Sequence, residues 1–413
     1  MQNSLLTSLL AATLAWPIPA GPEPENPYAL AARAAGDGKS SPRNYLLPLV
    51  ELRQRQPAYT GDTAQWERSG TYWQVLATYA SLADETDSAT TYWRRQPGYG
   101  LRPVGPGPAL STQPAAAAIL AQTKQRQVVM FNEKHTQPRG RWLVGRLLPT
   151  LYQQGFRYLA LEALNTDDST GVRQRGYPVA SSGFYTNEPH YGNLIRHARQ
   201  LGFRVVGYDA LSSERERDQA RNLLAVSVGA DPKARVVVLA GHGHISEQGE
   251  GRNKPMAQWL HELSGIDPLT IEQTQLATAP LPGLGQLPAG AYVVPQARAA
   301  LLAGRAMNCD MFVYNHLNLA EAGNSFGQRA GRLTALAAPA DSLRPGQPHV
   351  LLVYQQREWL AQANAEPVAV RCLPPGQATA RLSLLPGTYV VALRDAPRSP
   401  LLAAGVTGAL KSN

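Results

Sequence analysis

Short apolar runs alternate with longer amphipathic stretches through the middle of the chain. Residues 128–131 (VVMF) are too few for a helix and are bounded by polar residues, which predicts a buried strand. Pro138 then opens a stretch in which Trp142, Leu143, Leu147, Leu148 and Leu151 recur at helical spacing. Gly155 is placed to stop that helix as a left-handed cap. A second apolar run, 158–161, finishes on Glu162. Strand, helix and strand in this order form a βαβ unit, which implies parallel pairing and a right-handed crossover.

The pattern recurs downstream. A helix is expected over 193–201, with Leu194, Ile195, Ala198 and Leu201 inward and Gly202 as its stop, and a strand over 203–207 that ends on Tyr208 and Asp209. Ser213 to Glu216 reads as a capping box opening a helix that runs to about Val228. A fourth strand, 235–240, ends on Gly241-His242-Gly243-His244. A helix near 256–263 and strands near 291–294 and 311–314 are expected to complete the sheet. The fold class is therefore α/β: a three-layer α/β/α core over 115–338 with a mainly parallel sheet.

Both ends depart from this pattern. Residues 26–96 read as helices, with Trp73, Leu76, Tyr79 and Leu82 on one face and Ala89, Tyr92 and Trp93 in a further short helix. One tetratricopeptide-like hairpin without a repeat is weak, so a helical cap packed on the core is preferred. Residues 97–114, dense in Gly and Pro, are expected to be a linker. Residues 345–400 alternate at period two between turn signals, which predicts a small β-rich module with strands at 349–354, 367–373, 378–385 and 388–394. Partner contact is expected through the N-terminal helices or this module. Residues 165–187, polar and Gly/Ser-rich with Tyr177, Phe184 and Tyr185 interspersed, suit either a substrate lid or an irregular surface loop.

A chain of 413 residues with 44% hydrophobic residues has ample core for more than one domain. Its net charge of +9 comes from scattered arginines and no basic block, which speaks against nucleic acid. Residues 5–16 are an apolar run of signal-peptide length, so 1–20 is read as a signal peptide and the protein as exported, periplasmic or secreted. No Lys or Arg precedes that run, the first being Arg33, which departs from the usual basic start. No segment is long enough to span a bilayer. Cys309 and Cys372 form no metal knuckle or redox pair and leave a bridge or two free thiols open.

Candidate chemistry gathers where the strands end. Glu133 and His135 follow the first, Glu162 the second, Asp209 the third, and His242 and His244 the fourth. Ligands bind at the carboxyl ends of open parallel sheets. Two residues apart on a loop, Glu133 and His135 can reach one centre, where a carboxylate-backed imidazole takes a proton from water. Glu162 needs a partner after a buried strand, for which His135 or Arg141 is available. Gly241 and Gly243 permit a sharp turn and close ligand approach, and the alternating spacing sends His242 and His244 to opposite sides. Asp209, Tyr208, His242 and Arg217 are candidate substrate-binding residues.

These motifs resemble the superfamily that joins erythromycin-esterase-like enzymes, ChaN-like haem-binding lipoproteins and Tiki/TraB-type proteins. NEKHTQP stands where that superfamily carries Gly-Glu-x-His, YLALEAL matches Leu-Ala-Leu-Glu, Arg217-Asp218 with Asn222 matches its Arg-Asp pair and Asn, and VLAGHGHI matches its late histidine at His244. The signature's first glycine is Asn132 here. The resemblance spans about 125–275 and implies an α/β/α fold with a site made of Glu133, His135, Glu162 and His244. The leading expectation is hydrolysis of an ester or related acyl bond in a small-molecule substrate, without a cofactor. His135 would activate water, Glu162 would orient it, Glu133 and His244 would position substrate, and Arg217 would neutralise an anion. No GxSxG elbow is present, so direct attack by water is expected. The same four residues as ligands of a divalent metal, a ChaN-like haem or iron site, and an inactive scaffold are the alternatives.

Overall fold

The computed structural model describes residues 24–38, 43–61, 66–97, 113–249, 253–277, 287–303, 307–319, 324–326, 332–338, 346–395 and 402–410. The apolar run at 5–16 and nearly all of the Gly/Pro stretch lie outside them. Helices α1 (Pro27–Ala35), α2 (Leu47–Gln54), α3 (Gln56–Thr60), α4 (Trp66–Leu82) and α5 (Thr86–Arg94) come first. The core then runs β1 (Gln113–Pro114), α6 (Ala115–Gln122), β2 (Val128–Glu133), α7 (Arg139–Gln153), β3 (Tyr158–Leu161), α8 (Ser169–Arg175), α9 (Pro189–Leu201) and β4 (Arg204–Gly207). It continues through α10 (Arg215–Val226), β5 (Val236–Gly241), α11 (Met256–Ser264), β6 (Leu269–Glu272), β7 (Ala291–Val294), α12 (Gln296–Ala303) and β8 (Met311–Asn315). The sheet order is β1-β7-β8-β6-β2-β5-β3-β4. From β8 to β4 every pairing is parallel, and β7 and β1 add antiparallel edges.

Three layers follow from two-sided apolar strands. Along β2, Val129 and Phe131 face a core shared with α6, α7 and α9, while Val128 and Met130 face one shared with α10, α11 and α12. Each fully buried aliphatic side chain here contributes about 1.5–3 kcal/mol. Gly145 of α7 lets the sheet-side helix close on its neighbours, since a Cβ there would lie 2.5 Å from the Phe326 ring. The crossovers after β2 and β3 lie on one face and those after β4 and β5 on the other. In the sheet β5 lies between β2 and β3, and its crossover leaves to the face opposite theirs, so the carboxyl ends of these three strands border the crevice where such sheets take ligands.

The remaining strands are β9 (Arg332–Ala337), β10 (His349–Gln355), β11 (Ala369–Leu373), β12 (Thr379–Leu384), β13 (Gly387–Asp395) and β14 (Leu402–Leu410), with α13 (Gln356–Ala361) after β10. They form antiparallel sheets β11-β10-β13-β14 and β12-β9. β9 pairs with β12, so residues 332–337 belong to the β-rich part and not to the α/β core in which the sequence reading placed them. One face of β10, β11 and β13 shares a core with α1, α2 and α4. The two ends of the chain are thus one body, joined by apolar contacts that the sequence pattern could not assign to partners.

That body is fastened to the α/β core through α9 and the segment before it. Buried Arg196 of α9 forks onto Glu358 at 2.7 Å, and Asn193 Nδ2 donates to Val368 O at 2.7 Å. Val179 bridges to Ala365, and Ala180 N donates to Asn364 O at 2.9 Å. Residues 165–187 are therefore a pinned wall, with Ser182 and Thr186 fully buried, and not a free lid. Cys309 and Cys372 are free. No helix among the described residues is long and apolar enough to cross a membrane.

Candidate active site

β2 is longer than its apolar run because Asn132 and Glu133 keep the pairing with Ala240 and Gly241 of β5. Glu133 therefore stands on the sheet and not in a loop, and is buried. One oxygen of its carboxylate meets His135 Nδ1 at 2.8 Å, and the other accepts from Arg141 Nε at 2.6 Å. Arg141, fully buried, also donates to Glu188 at 2.7 Å and to the His135 carbonyl at 3.0 Å. Burial alone would raise the Glu133 pKa, but Arg141 and His135 outweigh it and hold the carboxyl below its ordinary range. An ionised Glu133 keeps a proton on His135 Nδ1 and leaves the Nε2 lone pair outward.

That Nε2 points to the end of β5. A Cβ at Gly241 would lie 2.7 Å from it and 3.1 Å from a Glu162 oxygen, so only glycine lets both groups crowd this spot. Tyr185 stacks on the His135 ring at 3.9 Å between centroids, and His242 meets it edge-on at 5.4 Å. His242 in turn stacks on Trp93 of α5 at 5.7 Å, so the N-terminal helices supply one wall. Lys134 Nζ lies 4.5 Å from the Trp93 ring, and burial followed by Arg94 pushes its pKa down to about 6. Burial, then His135 and Lys134, pushes His242 down to about 4, so it is a neutral wall at physiological pH.

Glu162 closes β3. Its carboxylate accepts from Gly241 N and from Arg215 at 2.7 Å, and its oxygen lies 3.4 Å from His244 Nε2. Burial opposes ionisation, but His244, His135 and the Gly241 amide drive its pKa far down. His244 Nδ1 meets Glu216 at 2.7 Å, and the other Glu216 oxygen accepts from Met256 N at 2.8 Å. Burial would lower His244, yet Glu162 and Glu216 together push it up to about 9. His244 is thus an imidazolium at neutral pH. Arg215 adds a second positive charge 3.4 Å from its ring nitrogen, and is itself held by Asp209 at 3.0 Å.

The structure brings Glu133, His135, Glu162 and His244 together, with His242 as a wall. Tyr208 is fully buried, its hydroxyl 3.3 Å from Leu239 O, so its expected substrate role is replaced by a packing one. Asp209 Oδ1 accepts from Arg215 Nε at 3.0 Å and Gln219 Nε2 at 2.6 Å, and so positions Arg215. Arg215, not Arg217 or Arg141, is the guanidinium on Glu162; Arg217 pairs with Glu214 at 3.0 Å. α10 starts at Arg215 with no side-chain cap bond, so the capping box read at Ser213 is absent. Glu188 and Arg215 carry no site signal in the sequence, and Glu216 and Trp93 read there only as a capping and a helix residue, since their site partners lie on distant segments.

Asn132 is a fully buried strut. Its Nδ2 donates to His242 O at 2.8 Å and Glu272 at 2.5 Å, and its Oδ1 accepts from Gln273 N at 2.8 Å. The first of these bonds holds His242 in a left-handed conformation, φ 37°, that a non-glycine residue adopts only under constraint. Asn132 therefore shapes the turn that carries the histidines.

A metal does not fit the four candidate ligands. Arginines already occupy one oxygen of Glu133 and one of Glu162, and both nitrogens of His244 face carboxylates. A cation would have to displace guanidinium charge, and among the described residues no group of three His, Cys, Asp or Glu is gathered as a metal cage. Haem fits no better, because the lining of the cavity beside the cluster includes no His, Cys, Met or Tyr to serve as an axial ligand.

No family model and no curated protein matches the chain. Among solved structures, a chain described as bacterial protein toxins is 18% identical over 52% of this chain and 48% of that one, with a TM-score of 0.30. The type III effector HopBA1 is 15% identical over 51% of this chain and 100% of that one, at 0.31. RRSP, a MARTX toxin effector domain from Vibrio vulnificus, is 19% identical over 52% and 46%, also at 0.31. The chain thus spans about half the length of the first of these. At these scores the site stands on its own geometry.

Proposed function

We propose that the protein is a metal-independent hydrolase of an ester or related acyl bond, in keeping with its resemblance to the erythromycin-esterase-like superfamily. One observation carries the reading: His135 has its Nδ1 on a buried carboxylate that Arg141 keeps ionised, and its Nε2 beside Gly241 and the Glu162 carboxylate. Water beside Nε2 gives up a proton to His135 as its oxygen attacks the acyl carbon. The proton sits on Nε2 while Glu133 balances the imidazolium, and then passes to the leaving group as the tetrahedral intermediate breaks down. Arg215 and the charged His244 both meet the Glu162 carboxylate, and in this reading they stabilise the oxyanion. Glu133, and not Glu162, is thus the orienting partner of the base, and Glu162 anchors the two cations.

A panel of small nitrophenyl esters tests this directly. Turnover by wild-type protein that survives chelator, and that is lost in a folded His135→Ala variant, is the expected result. Turnover retained by His135→Ala would reject the assignment of the base.

A further inference from the structure

A cavity of about 520 Å³ shares Arg215, Glu216 and Gly243 with the edge of the catalytic cluster, and its lining also includes Arg217, Lys254 and Trp259. This volume suits a small organic group. Two cations attend one indole: the Arg217 guanidinium carbon lies 5.2 Å and Lys254 Nζ 4.8 Å from the Trp259 ring centroid. The acids nearby do not hold these cations firmly. Arg217 and Glu214 pair at 3.0 Å with side chains 35% and 60% exposed, a solvent-screened contact worth little and readily exchanged. Lys254 shares Glu262 in a similarly open pair. Glu216 is committed to His244 and the Met256 amide. Arg217 Nε is shielded from water and has no acceptor among the described residues, although buried polar groups nearly always have one.

We propose that this cavity is an anion subsite that takes a carboxylate carried on a flat apolar body, the body against Trp259 and the carboxylate on Arg217 and Lys254. As a statement about substrate it rests on the hydrolase reading, and it makes the preferred substrate an acyl compound bearing a second, anionic group. Arg215 touches both the cavity and Glu162, so a ligand seated here directs its acyl bond towards His135.

The test is binding without turnover. Benzoate and its neutral counterpart benzamide are titrated into the full-length protein, following tryptophan fluorescence, with Trp259→Phe identifying the reporter among the seven tryptophans. Benzoate is expected to bind at least about tenfold tighter than benzamide, and Arg217→Gln and Lys254→Ala each to weaken benzoate about tenfold while leaving benzamide within about twofold. All three residues are partly exposed, so these variants are expected to fold. Equal affinity for the two probes, no benzoate binding, or benzoate affinity unchanged in both charge variants would overturn the subsite. Benzoate binding that persists in His135→Ala and in a protein inert towards esters would reject the hydrolase reading alone. Ester turnover without benzoate binding would reject the subsite alone.

Discussion

Two histidine–carboxylate pairs meet at the carboxyl ends of β2, β3 and β5, built from the same residue types for opposite purposes. His135 has one carboxylate, Glu133, whose other oxygen is taken by a fully buried arginine. His244 lies between two carboxylates, Glu162 and Glu216, and is pushed up to about 9. The first arrangement leaves a lone pair beside Gly241 and Glu162, and the second a standing positive charge. Roles at such sites are set by what surrounds each group more than by its identity. Because His244 is raised from 6.5, its contribution to stability is fully present below about pH 6.5 and is lost as pH rises through about 9. Glu162 is depressed, so its contribution holds above the ordinary carboxylate range and is lost in acid.

The sharpest way to break the contrast is to delete the base. His135→Ala is expected to cut turnover about 10²–10⁴-fold with circular dichroism unchanged. Removing the arginine that makes Glu133 an anchor comes next. Arg141→Met leaves Glu133 and Glu188 facing each other without a counter-charge, and a denaturant melt should show about 3–5 kcal/mol less stability. Asn132→Gly withdraws the bonds to Glu272 and to the strained His242 carbonyl, at a cost of about 1–3 kcal/mol in the same measurement. A glycine that proved neutral or stabilising would show that Asn132 is no strut. Glu216→Gln makes His244 resemble His135 by leaving it one carboxylate. Its alkaline limb of activity should move to lower pH, with up to about tenfold less turnover near pH 8.5.

Much of this was legible along the chain. Apolar runs of four to six residues ending in ionisable groups placed Glu133, Glu162 and His244 at one sheet edge, because a parallel sheet aligns the ends of its strands. Pairings between distant segments were not legible. Arg215 and Arg217 look alike in sequence, and only the phase of α10 against β3 decides which one reaches Glu162. Glu216 read as a capping residue because local patterns favour local partners, yet its oxygens reach His244 and Met256. Trp93 belonged to a helical cap by pattern, and its contact with His242 exists only because α5 folds over the crevice. The union of the two chain ends was equally hidden, since alternating apolar positions in β10 and β13 say that a face is covered but not by what.

The most direct test of the division between the two histidines is a nitrogen NMR titration of their rings, assigned with His135→Ala and His244→Ala. His244 is expected to stay doubly protonated through neutral pH and to titrate near 9, while the neutral form of His135 carries its proton on Nδ1. A His244 that titrates at its ordinary 6.5, or a His135 protonated on Nε2, would contradict that division.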